Sequence, residues 1–103
     1  MDSTDHTCIT TTLKVIGAKW TALILRELLD GTRRFGELQK ALPGISPRTL
    51  SLRLDQLARD GIVSKKIYKT IPLKVEYSIT DRGRSLGDII ATMRKWGEKS
   101  QSI

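Results

Sequence analysis

Apolar residues recur every three to four positions as far as Gly61, every second position just beyond it, and at the wider spacing again toward the C-terminus. The first spacing is that of helices with one buried side, the second that of strands. Ile9, Leu13 and Ile16 share one side of a short helix predicted over residues 10–16, which Gly17 ends or bends. Residues 18–30 (AKWTALILRELLD) make a stronger helix, with Trp20, Leu23, Ile24 and Leu28 on one face and Ala22, Leu25 and Leu29 over much of the other. A helix apolar nearly all round belongs at the centre of a fold. Gly31 stops it. Arg33, Arg34 and Phe35 form a brief extended piece, and residues 36–42 a two-turn helix closed by Pro43 and Gly44.

The next stretch, GISPRTLSLRLDQLARDG, is the most sharply bounded. Ser46 is a good N-cap, Pro47 suits the first helical position, and Gly61 supplies a left-handed exit, so a helix is predicted over residues 46–60. At about 100° per residue Leu50, Leu54, Leu57 and Ala58 lie together. Arg48, Leu52, Asp55 and Arg59 lie roughly opposite, with Thr49, Arg53 and Gln56 along one flank. Beyond Gly61, Val63 and Ile67 share a face of one strand, and Leu73, Val75, Tyr77 and Ile79 a face of another. Thr70, Ile71 and Pro72 form the hairpin tip between them. Thr80 then caps a helix over residues 81–98 with the stripe Leu86, Ile89, Ile90, Met93 and Trp96. No linker or repeat divides the chain, so residues 1–103 read as one domain whose ends, 1–7 and 99–103, are expected to fray.

Helix, helix, short strand, helix, helix, two-stranded ribbon, helix is the order of a winged helix-turn-helix with an extra helix at each end. The expected fold is therefore mainly α with a small β-hairpin. In this arrangement the second helix of the pair enters the DNA major groove, braced by the first. Residues 36–42 would brace and 46–60 would read. Burying Leu50, Leu54 and Leu57 sets the reader's roll and leaves Arg48, Thr49 and Arg53 to face DNA. Arginine forks onto guanine or grips phosphate, hydroxyls bind phosphate, and exposed Leu52 can meet a thymine methyl. Free N–H groups at the helix start add a seat for phosphate.

Charge supports a polyanionic partner: 18 Lys and Arg against 11 Asp and Glu give a net +7. Lys65, Lys66, Lys69 and Lys74 crowd the ribbon against the single Glu76, which suits phosphates or a minor groove. The bland reading is a solvated basic surface, or lysines that guard a strand edge against aggregation. A chain of 103 residues gains core by pairing. Ile9, Leu13 and Ile16, with Leu86, Ile89, Ile90, Met93 and Trp96, exceed what one small domain covers, so they are expected at a homodimer interface. Two reader helices would then sit one DNA turn apart, roughly 34–36 Å. In the competing reading the last helix folds back on its own core.

The motifs GxKWxxxIL, RRFxEL, ISxRxLxxRLxxLxxDG and VEYSxT, carried by the run from Ile16 to Val63 and by Val75–Thr80, closely resemble the HxlR-type family of bacterial transcriptional regulators. The likeness spans about residues 8–97. It implies a homodimeric winged helix-turn-helix protein, dimerised through its terminal helices, that represses or activates at a partly palindromic operator of double-stranded DNA. It places Ser46, Arg48, Thr49, Ser51, Leu52 and Arg53 on DNA, and Lys66, Lys69 and Lys74 in the wing. Family members usually carry a polar residue, often glutamine, where this chain has Leu52.

The remaining chemistry is sparse. One cysteine, Cys8, and one histidine, His6, form neither a disulfide framework nor a metal site, and fit a reducing cytoplasm. The polar N-terminus does not read as a secretory signal, and no segment reaches membrane-spanning length. No nucleophile–base pair, metal cluster or Gly-rich phosphate loop points to an enzyme or a cofactor. Cys8 is expected just ahead of the first helix, where the positive end of the helix favours a thiolate. The family resemblance aligns it with a cysteine that answers to oxidants or electrophiles in several members, although Ile9 stands where those carry proline. The competing reading is a small buried hydrophobe. A winged helix used for protein contacts would need an apolar or acidic reader face, which Arg48 and Arg53 oppose. RNA binding would need exposed aromatics, yet both tryptophans and Phe35 fall at core positions.

Overall fold

The computed structural model describes residues 3–101. Its first helix, α1 (Ser3–Ile16), ends where the Gly17 N–H donates to the Leu13 carbonyl at 2.7 Å. The chain then turns by 74° into α2 (Lys19–Leu29). Ile24, Leu25 and Leu28 of α2 are shut off from solvent, and the helix packs on α1 and on several elements that follow it in the chain. Each such side chain contributes about 1.5–3 kcal/mol by leaving water. A short strand β1 (Arg33–Arg34) leads into α3 (Phe35–Ala41), whose first turn is closed by the Arg34 N–H donating to Glu37 Oε1 at 2.8 Å.

The turn from α3 to the next helix is itself part of the core. Leu42 and Ile45 are buried on either side of Pro43-Gly44, and the Ile45 N–H donates to the Leu42 carbonyl. Helix α4 (Pro47–Arg59) follows within a residue of its predicted bounds. Gly61 leaves it at φ +74°, a conformation that costs an ordinary side chain energy and glycine almost none. Strands β2 (Val63–Tyr68) and β3 (Lys74–Ile79) form the expected ribbon, and β1 adds a third strand to give the antiparallel order β1-β3-β2. Val63 pairs with Ile79 at the base of the ribbon and Tyr68 with Lys74 near its end.

Several expectations are corrected. The N-terminal helix begins at Ser3 rather than residue 10, so residues 3–7 are helical and only 1–2 of that expected frayed end lie outside the described residues. The threonines do not start the helix: Thr11 and Thr12 donate their hydroxyls to the carbonyls of Thr7 and Cys8 one turn back. The single terminal helix is two, α5 (Asp81–Arg84) and α6 (Gly87–Gln101), which carries the chain in helix past residue 99. Thr80 explains the break. Its hydroxyl reaches the Gly61 and Ile62 carbonyls at 2.6 and 3.0 Å and accepts the Gly83 N–H at 3.1 Å, tying α5 to the base of the ribbon. Gly83 sits so close that a Cβ there would run into the Ile62 carbonyl and the Ile79 side chain. The chain turns at Ser85-Leu86 before Ile90 can reach the core.

Burial divides the apolar stripes. Ile16 and Ile90, expected at a dimer interface, are 7 % and 6 % exposed in the chain's own core, and Leu86 packs partly against it. Ile9, Leu13, Ile89 and Met93 stay exposed, and Trp96, expected at a core position, is 72 % exposed. Trp20 and Phe35 do pack against the core. On the ribbon, Val63, Tyr77 and Ile79 are buried whereas Ile67 and Leu73 are not, because the distal half extends past the body that would cover them. Among the described residues no single helix is long and apolar enough to cross a membrane.

Candidate nucleic-acid interface

Helix α4 owes its orientation to three side chains. Leu50 and Leu54 have no exposed surface and Leu57 almost none. With these fixed, the 3.6-residue period turns Arg48, Ser51, Leu52, Asp55 and Arg59 to solvent, and all five are exposed. Leu52 is the odd member, a large apolar side chain in the middle of a polar face.

The helix start is well made. Ser46 Oγ accepts the Thr49 N–H at 3.1 Å and donates to Thr49 Oγ1 at 2.9 Å. Cap and hydroxyl therefore satisfy one another, and the remaining N–H groups of the first turn, with the positive end of the helix, face outward as a seat for an anion. Pro47 carries no N–H and wastes none of them.

Arg53 is less open to solvent than Arg48, Ser51 and Leu52 of the expected reading face. It is half-buried, its Nε is enclosed without a hydrogen-bond partner among the described residues, and it lines a cleft with Lys14, Thr21, Gln56 and Asp60. It does not stand free on the outer face. The wheel explains this: Arg53 lies about 40° round the helix from Leu57, at the edge of the leucine face where residues of α1 and α2 line the same cleft.

The wing presents its charge in an ordered way. On one face of the ribbon the Lys66 and Lys74 ammonium groups lie 4.8 and 4.7 Å from the centre of the Tyr68 ring. The Tyr68 hydroxyl donates to Glu76 Oε1 at 2.8 Å, and Lys74 Nζ lies 3.4 Å from Glu76 Oε2. The Tyr68 hydrogen bond, reinforced by Lys74 and Arg34, holds the Glu76 carboxyl below the usual carboxylate range despite the cost of its partial desolvation. At the buried base, desolvation pushes the Tyr77 phenol up, and the nearby Asp55 carboxylate adds to that. Lys65, Lys66 and Lys69 are exposed and Lys74 is half-buried.

Two contributors escaped the sequence reading. Arg34, opposite Glu76 on β1, adds a cation to this face, and Tyr68 organises the lysines around it. The signal was cross-strand register, which the period alone does not supply. Cys8 is exposed and lies inside α1, not ahead of it, so it does not occupy the helix start.

A solvent-facing basic helix locked by buried leucines, joined to α3 by a tight buried turn and accompanied by a lysine-rich ribbon, defines a winged helix-turn-helix regulator that binds DNA. The comparisons agree. The model of the HxlR-like helix-turn-helix family matches residues 15–102, and the chain belongs to that family. It is 47 % identical over 91 residues to the uncharacterized HTH-type transcriptional regulator YdeP of Bacillus subtilis (strain 168), an alignment covering 88 % of this chain and 71 % of YdeP. Among solved structures it resembles the redox regulator HypR in its reduced form, with a TM-score of 0.86, 42 % identity and coverage of 90 % of this chain and 92 % of HypR. The oxidized form of HypR gives 0.84 at 43 % identity, covering 88 % and 94 %. Diamide-treated YodB from B. subtilis gives 0.74 at 31 % identity, covering 87 % and 89 %.

Proposed function

We propose that the chain works in the cytoplasm as a homodimeric transcription factor on a partly palindromic operator, acting by occupancy and catalysing no reaction. The observation that carries this is the complete burial of Leu50 and Leu54 beneath an exposed Arg48, Ser51 and Leu52. Arg48 and Ser51 meet base edges or adjacent phosphates, and Leu52 favours a thymine methyl. Ser46 and Thr49 shape the phosphate seat at the helix start, and Lys66, Lys69 and Lys74 hold the backbone beside the wing. Arg53 is left out because it is half-buried, with its Nε enclosed, at a cleft lined by α1, α2 and α4.

The exposed stripes Ile9 and Leu13 on α1, and Ile89, Met93 and Trp96 on α6, support pairing between two copies through the terminal helices. Trp96→Glu would then convert the dimer to monomer in analytical ultracentrifugation while leaving the helical circular dichroism intact. Selection from a random duplex pool tests the function: it should enrich two inverted half-sites about one helical turn apart. Enrichment of single strands, or of no sequence, would overturn the reading.

A redox response through Cys8 is supported by its exposed position and by the likeness of the chain to the redox regulator HypR and to diamide-treated YodB. Since the chain holds one cysteine, oxidation can join two thiolates only between copies or to a foreign thiol. With diamide, two thiols lose two electrons and two protons, forming one S–S bond while the azo group becomes a hydrazine. Diamide should change the operator affinity of the native chain and not that of Cys8→Ser.

A further inference from the structure

We infer that the wing tip is an apolar wedge: Ile71, backed by Leu73, enters the minor groove and partly unstacks one base step, kinking the bound duplex. This rests on the reading that the wing lies against DNA, and it goes beyond a role for the wing as a carrier of charge. Ile71 is 103 % exposed, more than in an extended chain, and Leu73 is 68 % exposed beside it. Neither side chain contributes to the core.

The tip is held rather than loose. The Thr70 hydroxyl donates to the Pro72 carbonyl at 2.7 Å, spanning Ile71, and the Thr70 N–H donates to the Tyr68 carbonyl at 2.9 Å. These two bonds hold Ile71 at the apex. They also commit the Thr70 hydroxyl proton, so the segment from Thr70 to Leu73 has no free side-chain donor to offer the acceptors of a groove floor. Its contact with a base step is apolar. Isoleucine, leucine and proline are among the residues that wedge between base pairs from the minor groove.

Charge selects the occupant. Lys69 precedes the tip and is exposed, and Lys66 and Lys74 flank the Tyr68 ring just behind it. A second copy of the tip would bring these cations against their like, whereas a minor groove walled by phosphates takes the lysines on its rims and the apex at its floor. A groove about 6 Å wide admits one side chain at the point of a ribbon.

The test uses the full chain and a duplex that the native chain selects from a random pool, with 2-aminopurine placed in turn at each step flanking the half-sites. Donor and acceptor dyes on the duplex ends report bending. The native complex should raise 2-aminopurine fluorescence several-fold at one step per half-site and bend the duplex by about 20–90°. Ile71→Ala, which removes nothing from the core, should return the fluorescence to baseline and reduce the bend while leaving the salt dependence of binding unchanged. A duplex bound with no enhanced step, or with equal signals for both proteins, overturns the wedge and leaves the regulator reading standing. A change of oligomeric state in Ile71→Ala without DNA overturns it in favour of a contact between copies. Failure to select any duplex removes both readings together.

Discussion

Helix α4 and the wing are held to the globule in opposite ways. The helix is anchored along its whole length, with a buried leucine at each turn, and every side chain it shows to solvent is placed by those anchors. The wing is anchored only at its base, through Val63, Tyr77 and Ile79; farther out it depends on a cross-strand ladder and on two lysines, a glutamate and a tyrosine that hold one another. An element fixed in roll can discriminate bases, because hydrogen-bond geometry must be met to within fractions of an ångström. An element fixed only at one end contributes charge and reach, which tolerate small displacements.

The comparison is most easily broken at its anchors. Leu54→Ala should cost about 2–5 kcal/mol of stability in chemical denaturation, since the side chain has no exposed surface and leaves a cavity behind. Leu73→Ala, on the outer wing, should stay within about 0.5 kcal/mol of the native chain. Similar losses for the two would mean that the wing is part of the cooperative core after all. Next in size is the contrast on DNA. Arg48→Ala should lose about 1–3 kcal/mol of operator binding and accept more sequences. Lys69→Ala should weaken all sequences alike and lower the slope of log K against log salt by about one. If Arg48→Ala were as indifferent to sequence as Lys69→Ala, α4 would be gripping phosphate rather than reading bases.

Helix α4 was legible from sequence because all its determinants are local: the Ser46 cap, Pro47, the leucine period and the left-handed Gly61. The features that were not legible depend on what packs where. Periodicity shows that an apolar face needs cover but not whose surface supplies it, which is why Ile16 and Ile90 went to the core while Leu13 and Met93 stayed outside. The same wheel put Arg53 on a flank without showing that residues of α1 and α2 would line a cleft beside it. The break between α5 and α6 comes from Thr80 and Gly83 meeting Gly61 and Ile62, contacts across some twenty residues that no window of the chain contains. Strand β1 is two residues long and exists only through its pairing with Tyr77 and Glu76.

The smallest expected effect separates the two regions by pH. The anchorage of α4 is through leucines, whereas the outer wing depends on Glu76 as an ion that accepts from the Tyr68 hydroxyl, faces Lys74 and Arg34, and sits opposite Lys66. Its folded pKa is lowered, so its contribution is complete above the ordinary glutamate value of about 4.3 and is lost as pH falls through the lower, folded value. A carbon-detected titration of the Glu76 carboxyl should therefore show a midpoint below that of an unstructured glutamate, and Tyr68→Phe should raise it by removing the largest cause. Over the same acid range, amide protection should fall in the outer halves of β2 and β3 while the middle of α4 keeps its own. A midpoint unmoved in Tyr68→Phe, or protection lost from both regions together, would show that the polar cluster does not hold the wing and that the division between a packed reader and a polar arm is drawn in the wrong place.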